Sequence, residues 1–378
     1  MYYFLYFCLY EKTDKKLFYC PHAVVFQQNV TKTIMSRTDT ISAFAELGRK
    51  LQGTLDDGSI DAVIDTASHH NPWHTRENIE YALGRAVHQL EQPHLEQWLA
   101  PYPTLDNLLK PKTIAVVMGG DVPLAGWSDF VSVLASGNRI LIKLSDADDV
   151  LIPHLAKMLI TVAPEFEDYV AFAEGRMHQF DAIIASGSGS ANRYYERYFA
   201  KFPHVIRNPR YSVAVLDGNE SQRQLEGLAD DIFTYMGLGS RSVAKVLVPK
   251  DYDFADLIKA AKRYRHLMDN NHYKSNLDYH KALLMLNAVP FVDGDFWVLK
   301  NDEPIASPVS VTNYGIYNDI AEVEDILAKN ADSLDSVISG IESLPNSVPF
   351  GKANKTELWD YPQGIDTMEF LINLKSVQ

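Results

Sequence analysis

The fold is decided by one stretch, Tyr235-Met-Gly-Leu-Gly-Ser-Arg-Ser-Val-Ala-Lys-Val-Leu-Val-Pro249. It contains a Gly-x-Gly turn, places Ser240 directly after the turn, and continues as an apolar, β-branched run typical of a strand. Glycine accepts backbone conformations that other residues avoid, so this turn can present the Ser240 side chain and N–H to a bound group. Taken alone, the pattern is more typical of an ordinary turn that leads into a strand, so its meaning depends on the rest of the chain.

Short buried runs alternate with helical patterns on both sides of this stretch. Strands are predicted at Lys112–Met118, Arg139–Leu144, Asp181–Ala185 and Val213–Leu216, and a helix follows at Phe254–Met268. Strands that alternate with helices predict an α/β fold with a parallel sheet covered on both faces.

Composition excludes several classes of protein. The formal net charge of −14 argues against a nucleic-acid partner, because such surfaces are basic. No apolar run reaches the ~18 residues of a membrane span. The only cysteines are Cys8 and Cys20, so no disulfide framework is expected and a cytoplasmic location is predicted. The twelve histidines show no metal-binding spacing, so no metal site is predicted.

The first 34 residues differ from the remainder. Met1–Tyr10 is aromatic and aliphatic, and a charged segment follows it, which is the reverse of a secretory signal. Met35 precedes a normal amphipathic helical pattern, so we interpret residues 1–34 as a non-native or disordered extension. A weak interfacial anchor is the alternative.

Two segments have the character of a nucleotide-binding crevice. Lys143 ends a hydrophobic strand, where ligands bind in open parallel sheets, although a lysine that extends from a sheet edge into solvent is the commoner case. The run Ala185-Ser-Gly-Ser-Gly-Ser190 lies between a predicted strand and helix, where a helix N-terminus favours phosphate. Flexible turns share its composition, so this run is a weak signal by itself.

Taken together, these segments resemble the LuxC-type fatty-acyl-CoA reductase family, a branch of the aldehyde dehydrogenase superfamily, from about residue 35 to 374. The segments that carry the resemblance are Gly120-Asp-Val-Pro-Leu-Ala-Gly-Trp127, Lys143-Leu-Ser145, Ala185-Ser-Gly-Ser188, Gly237-Leu-Gly-Ser-Arg-Ser-Val-Ala-Lys245, Phe350-Gly-Lys-Ala353 and Asp360-Tyr-Pro-Gln-Gly-Ile-Asp-Thr367. Their occurrence in one order and spacing is the strong signal.

The resemblance implies an aldehyde dehydrogenase-like fold, with a nucleotide-binding parallel-sheet domain plus an α/β catalytic domain. Residues 35–236 would form the first, residues 237–345 the second, and residues 346–378 a C-terminal segment that packs back on the body. It also implies reduction of an acyl-CoA or acyl-thioester substrate to an aldehyde with NADPH, through a covalent acyl-enzyme, in a homodimer.

The resemblance assigns the cofactor to six positions, which are Lys143, Ser145, Asp146, Ser186, Gly187 and Ser188. Lys143 matches the lysine that binds the adenosine ribose, and 186–188 match the pyrophosphate loop. Asp146 falls where a carboxylate in relatives favours unphosphorylated ribose, so NADH is also possible.

Two departures from the family fall on the chemistry. Ser240 occupies the position of the cysteine nucleophile, and serine needs an adjacent base that the sequence does not reveal. Asp121 occupies the position of an asparagine that donates to the oxyanion, which an ionised carboxylate would repel unless burial keeps it protonated. Three interpretations follow: a working acyl-CoA reductase, an inactive homologue that acts as a nucleotide- or acyl-binding scaffold subunit, or a coding sequence altered at the cysteine.

Overall fold

The structure is a computed structural model that describes residues 36–107, 110–187 and 189–374. The N-terminal extension at 1–34 and the cofactor candidate Ser188 lie outside the described residues. Within the described residues, no helix is long and apolar enough to cross a bilayer.

Twelve α-helices occur among the described residues. They are α1 (Arg37–Asp56), α2 (Asp61–His70), α3 (Arg76–Gln89), α4 (Gln92–Leu99), α5 (Trp127–Ala135), α6 (Leu151–Val162), α7 (Gly189–Phe199), α8 (Gln222–Phe233), α9 (Ala255–Ala261), α10 (Asn271–Leu286), α11 (Ile320–Lys329) and α12 (Thr367–Asn373). Side-chain caps set several starts, since Ser36 and Ser221 form capping boxes at α1 and α8 and Thr75 accepts the Asn78 N–H at α3.

Eleven strands in the described part of the chain form two sheets. They are β1 (Thr113–Val117), β2 (Arg139–Lys143), β3 (Val170–Phe172), β4 (Ala182–Ser186), β5 (His204–Arg207), β6 (Tyr211–Val215), β7 (Val243–Pro249), β8 (Val292–Asp293), β9 (Val298–Asn301), β10 (Val311–Tyr317) and β11 (Leu334–Ser339).

The first sheet has the strand order β3-β2-β1-β4-β5, and all its pairings are parallel. The central strand β1 is buried at Ile114, Ala115 and Val116, so side chains on both of its faces are covered. Helices α1 to α6 contribute most of the core on one face, and Phe199 of α7 packs with Ala115 and Ile183 on the other. The parallel α/β architecture predicted from the sequence is thereby confirmed.

The second sheet has the order β11-β6-β7-β10-β9-β8 and is parallel except for the short edge pair β8–β9. Strand β7, the apolar run of the defining stretch, lies between β6 and β10. Val246, Leu247 and Val248 are buried there, which explains the continuous run of apolar residues.

The two sheets divide the chain at a different point from the domain boundary predicted between residues 236 and 237. Strand β6 belongs to the second sheet, where it pairs with β7 and β11, so this sheet begins at Tyr211. The predicted boundary lay at the glycine turn. In the structure this turn connects α8 with β7, and both elements pack in the same core against the second sheet.

A buried arginine forms an ion pair with α5 and a hydrogen bond with the C-terminal helix α12. Arg207, at the end of β5, donates to both carboxylate oxygens of Asp129 on α5 at 2.5 and 2.8 Å, and to the Thr367 hydroxyl at 3.0 Å. All three residues are buried, so these hydrogen bonds compensate charges that would otherwise be costly to bury.

Candidate active site

The glycine turn is a strained segment of backbone. Tyr235 and Met236 both have φ of 57° and Gly237 has φ of 78°, so three consecutive residues adopt the left-handed conformation before Leu238. Only Gly237 reaches that region without steric cost, and the other two residues store strain. The Asn78 Oδ1 atom accepts the Tyr235 N–H at 3.2 Å, which helps to hold this conformation. Ser240 follows on an exposed position, three residues before β7.

Ser240 borders a cavity of about 200 Å³. Three segments form its walls: part of α3 from Ala82 to Gln89, the loop from Val122 with the first two residues of α5 up to Ser128, and the C-terminal segment from Asn354 to Pro362. The turn itself contributes Tyr235 and Gly239–Arg241. The structure therefore brings the candidate nucleophile together with the loop that the resemblance placed beside it.

The loop that begins at Val122 and precedes α5 is held by the buried carboxylate of Asp148. Leu124 has φ of 59°, and its N–H donates to Asp148 Oδ2 at 2.9 Å. Asp148 is 6% exposed, and burial raises its pKa to about 6, while the hydrogen bonds from Leu124 and Leu151 N–H groups oppose this shift. The hydrogen bond from the Leu124 N–H to Asp148 therefore helps to hold the left-handed conformation of Leu124.

Asp121 does not face this cavity. Its residue is exposed, and it is absent from the cavity walls although its neighbours Val122 and Pro123 belong to them. Asp121 is therefore not the buried donor that the resemblance would require.

The C-terminal segment closes the cavity and is anchored on α8. Asp231 accepts the N–H groups of Gly351 at 2.6 Å and Ala353 at 3.0 Å. The backbones of the C-terminal segment and α8 approach each other closely, since a Cβ on Gly227 would lie 2.9 Å from the Gly351 nitrogen. Glycine at 227 therefore lets the segment lie directly on the helix.

A cluster of charged side chains ties this segment to α3. Glu357 Oε1 lies 3.1 Å from both Arg85 Nη2 and His88 Nε2, and the His94 ring packs against that of His88. Ligand atoms of His88, His94 and Glu357 lie within 4.8 Å of one another, a grouping that sequence spacing did not reveal. Because the Arg85 cation shares the Glu357 carboxylate, we interpret the cluster as an ion-pair anchor.

The two carboxylates that line the cavity are engaged elsewhere. Glu357 binds Arg85 and His88, and Asp360 Oδ2 accepts the Glu357 N–H at 2.8 Å. Arg241 is held by Asp335 at 3.3 Å and by the Asp360 carbonyl at 3.0 Å. Glu357 Oε1 and Asp360 Oδ2 are therefore engaged in holding the walls of the cavity, whereas Glu357 Oε2 is buried without a partner among the described residues.

The predicted cofactor residues lie at the carboxyl ends of neighbouring strands. Val117, the last residue of β1, is paired with Lys143 of β2 and with Ala185 of β4, so Lys143 and Ser186 flank the end of the central strand. Gly187 connects β4 to the N-terminus of α7. This is the edge where open parallel sheets bind ligands.

Ser145 and Asp146 follow β2 in a tight turn. The Ser145 Oγ accepts the Ala147 N–H at 3.2 Å, and a Cβ on Gly120 would lie 2.5 Å from that oxygen. Gly120 therefore allows the loops after β1 and β2 to meet, and Asp146 is exposed beside them.

The structure also reveals functional candidates that sequence reasoning did not single out. Arg85, Gln89 and Asn354 border the cavity, yet they come from helix α3 and from a turn-rich tail. No local pattern marks them, because their proximity to Ser240 depends on how the tail returns across α3 and α8.

Comparisons with known proteins agree with this architecture. P. syringae AldA indole-3-acetaldehyde dehydrogenase, solved in complex with NAD+ and IAA, superposes with a TM-score of 0.62 at 10% identity, over 83% of this chain and 74% of that chain. Aldehyde dehydrogenase 21 from Physcomitrella patens, solved with succinate, gives 0.63 at 12% identity, over 90% and 84%. KauB from Pseudomonas aeruginosa gives 0.60 at 11%, over 82% and 73%.

These structural likenesses, at such low identity, establish the aldehyde dehydrogenase fold. None of the curated proteins matches the sequence significantly. The profile of the acyl-CoA reductase (LuxC) family matches residues 60–269, which is more than half of the chain. The match includes the loop before α5, the strand ends of the first sheet and the turn at Ser240, so the chain belongs to the LuxC acyl-CoA reductase family.

Proposed function

We propose that the chain reduces an acyl-CoA thioester to an aldehyde with NADPH, and that Ser240 carries the acyl group during the reaction. The observation that supports this most is the position of Ser240, exposed on a strained glycine turn at a cavity of about 200 Å³. Strained backbone is commonly found where a structure holds a reacting group in place.

The chemistry assigned to Ser240 is acyl transfer. Its Oγ attacks the thioester carbonyl carbon, the carbon–sulfur bond breaks, and CoA leaves as the thiolate while the hydroxyl proton passes to solvent or to the thiolate. After reduction of the acyl carbon, the bond to Oγ breaks, aldehyde leaves and Ser240 regains a proton. The net reaction consumes acyl-CoA, NADPH and one proton and yields aldehyde, CoA and NADP+.

The nucleotide fits the donor groups at the end of the first sheet. Lys143 would bind ribose hydroxyls, and Ser186, Gly187 and the N-terminus of α7 would receive the pyrophosphate. When bound, the reduced nicotinamide supplies the hydride. The NAD+ complex of the similar P. syringae enzyme supports a nicotinamide cofactor. Because the exposed Asp146 carboxylate would repel a 2′-phosphate, NADH remains a competing donor.

A second candidate function is a scaffold subunit that binds nucleotide or acyl group without turnover. It is favoured by the hydrogen bonds that Glu357 Oε1 and Asp360 Oδ2 make to other groups, since no described residue forms a hydrogen bond with the Ser240 hydroxyl. It is also favoured by the exposure of Asp121, which removes the family's oxyanion donor.

The deciding experiment measures aldehyde formation and nucleotide oxidation from acyl-CoAs of several chain lengths, with NADPH and NADH compared. We expect slow turnover that Ser240→Ala abolishes. Ser240→Cys should raise the rate on the order of 10²-fold, because a thiolate needs no general base, whose contribution is typically at least that large. Ser275→Cys, at an exposed serine of α10, is the matched control and should leave the rate unchanged.

Absence of aldehyde from both the parent chain and Ser240→Cys, with nucleotide still bound, would refute the reductase and leave the scaffold function. Equal rates for the parent chain and Ser240→Ala would refute the role of Ser240.

A further inference from the structure

Asn354 carries a buried hydrogen-bond donor that the fold does not use. Its side-chain Nδ2 is buried and has no hydrogen-bond partner among the described residues. Buried amide N–H groups are normally paired, so such a donor requires an explanation.

The amide lies against the turn that carries Ser240. Asn354 borders the same cavity as Gly239 and Ser240, and its Oδ1 lies 3.7 Å from the point where a Cβ on Gly239 would stand. This is an ordinary van der Waals distance, so the amide group of Asn354 lies directly beside the turn.

The backbone around Asn354 is held on both sides. Asp231 accepts the Ala353 N–H at 3.0 Å just before it, and the Thr356 carbonyl just after it accepts from Arg85 at 2.9 Å and Gln89 at 2.8 Å. A donor fixed in this way needs little reorganisation when charge develops nearby, which is the property that makes oxyanion donors effective.

Most of the other long polar side chains of this cavity are engaged, although Arg85 Nε and Glu357 Oε2 are also buried without a partner among the described residues. Gln89 donates to Thr356 and accepts from the Trp127 indole at 3.0 Å, while Arg85 and Arg241 hold the carboxylate and carbonyl groups described above. Asn354 Nδ2 is therefore an unpaired amide donor on a residue that borders the cavity beside Ser240.

We infer that the Asn354 side-chain amide donates a hydrogen bond to the carbonyl oxygen of the acyl group at Ser240 and stabilises the oxyanion formed there. This inference rests on the proposed function. It supplies the donor that is missing at Asp121, from a different segment of the chain.

The test compares Asn354→Asp, which keeps the shape and replaces the donor with an acceptor, with Asn354→Ala. Both are made in the parent chain and in the Ser240→Cys background. Asn271→Asp, at the exposed first residue of α10, is the matched control. Intact-mass measurements give the rate of acylation by an acyl-CoA, steady-state assays give kcat and KM, and titration gives the Kd for NADPH.

We expect both Asn354 variants to lower the acylation rate and kcat on the order of 10²–10³-fold. KM for acyl-CoA and Kd for the nucleotide should change by no more than about twofold, because the hydrogen bond strengthens in the transition state. An amide that only supported the fold would instead lower the thermal unfolding midpoint and leave kcat of the folded protein unchanged.

Acylation of both Asn354 variants at the parental rate would overturn this inference alone and leave the proposed function intact. Failure of both the parent chain and Ser240→Cys to become acylated would refute the proposed function, and the role of Asn354 would be refuted with it.

Discussion

Asp148 is a buried carboxylate whose replacement by asparagine is expected to change how stability depends on pH. Its Oδ2 accepts the Leu124 N–H at 2.9 Å, while Oδ1 is buried without a hydrogen-bond partner among the described residues. In Asp148→Asn the amide oxygen can keep the bond to Leu124, and a neutral NH₂ replaces the unpaired oxygen. The substitution therefore removes the charge and retains the loop contact.

The magnitude follows from the pKa of this carboxyl. Burial raises the pKa to about 6 from the ordinary value of 3.8, so the folded protein holds a proton that the unfolded chain releases. Stability from this proton is fully present below about pH 4, declines as the pH rises, and is lost once the pH exceeds about 6. At about 1.4 kcal/mol per pKa unit, the total amounts to about 3 kcal/mol.

Urea unfolding of the parent chain and of Asp148→Asn between pH 4 and pH 8 measures this contribution of Asp148 to the free energy of unfolding. The free energy of unfolding of the variant minus that of the parent should rise by about 2.4 kcal/mol between pH 4 and pH 7, because part of the total is already lost at pH 4. Asp149→Asn, which removes the exposed neighbouring carboxylate, should change the profile much less. A variant-minus-parent difference that stays constant within about 0.5 kcal/mol would show that Asp148 does not titrate as its burial implies.

Two further substitutions test the packing around the cavity. Arg207→Met should lower the free energy of unfolding in urea by about 3–5 kcal/mol, because it leaves the Asp129 charge buried without its partner, and Arg207→Met with Asp129→Leu should recover most of it. An unrecovered loss in the double variant would contradict this account. Gly227→Ala should cost about 1–3 kcal/mol, because its Cβ would lie 2.9 Å from the Gly351 nitrogen. Gly84→Ala on α3, where a Cβ meets nothing within 4 Å, should instead gain up to about 1 kcal/mol, and equal effects would exclude the close-approach explanation.

Most of the first sheet could be predicted because its strands are continuous apolar runs. The run predicted at Asp181–Ala185 is observed as β4, shifted by one residue, and β2 ends one residue before the prediction. The short strands β3 and β5 escaped prediction, since three or four residues carry too little periodicity to stand out. Helix α10 carries little apolar periodicity in the sequence, because only Tyr273, Leu277 and Leu284 are buried along its 16 residues.

The candidate site was predictable only where function lies in a local motif. The glycine turn and Ser240 are visible in the sequence, and the structure places them at a cavity. The exposure of Asp121 was not foreseeable, because one residue of difference along a loop decides whether a side chain faces the cavity or solvent. Asn354 was missed for a related reason: its buried, unpaired amide exists only after the tail has packed on α8 and α3.

Because the C-terminal segment forms one wall of the cavity, the walls are synthesised in a fixed order. Its other walls are translated first, and residues 354 to 362 reach their places only after the whole second sheet has been synthesised. A nascent chain therefore carries the serine turn for more than a hundred residues before that turn acquires its final wall. The cavity at Ser240 is therefore complete only after the C-terminal segment has been synthesised and has packed on α3 and α8.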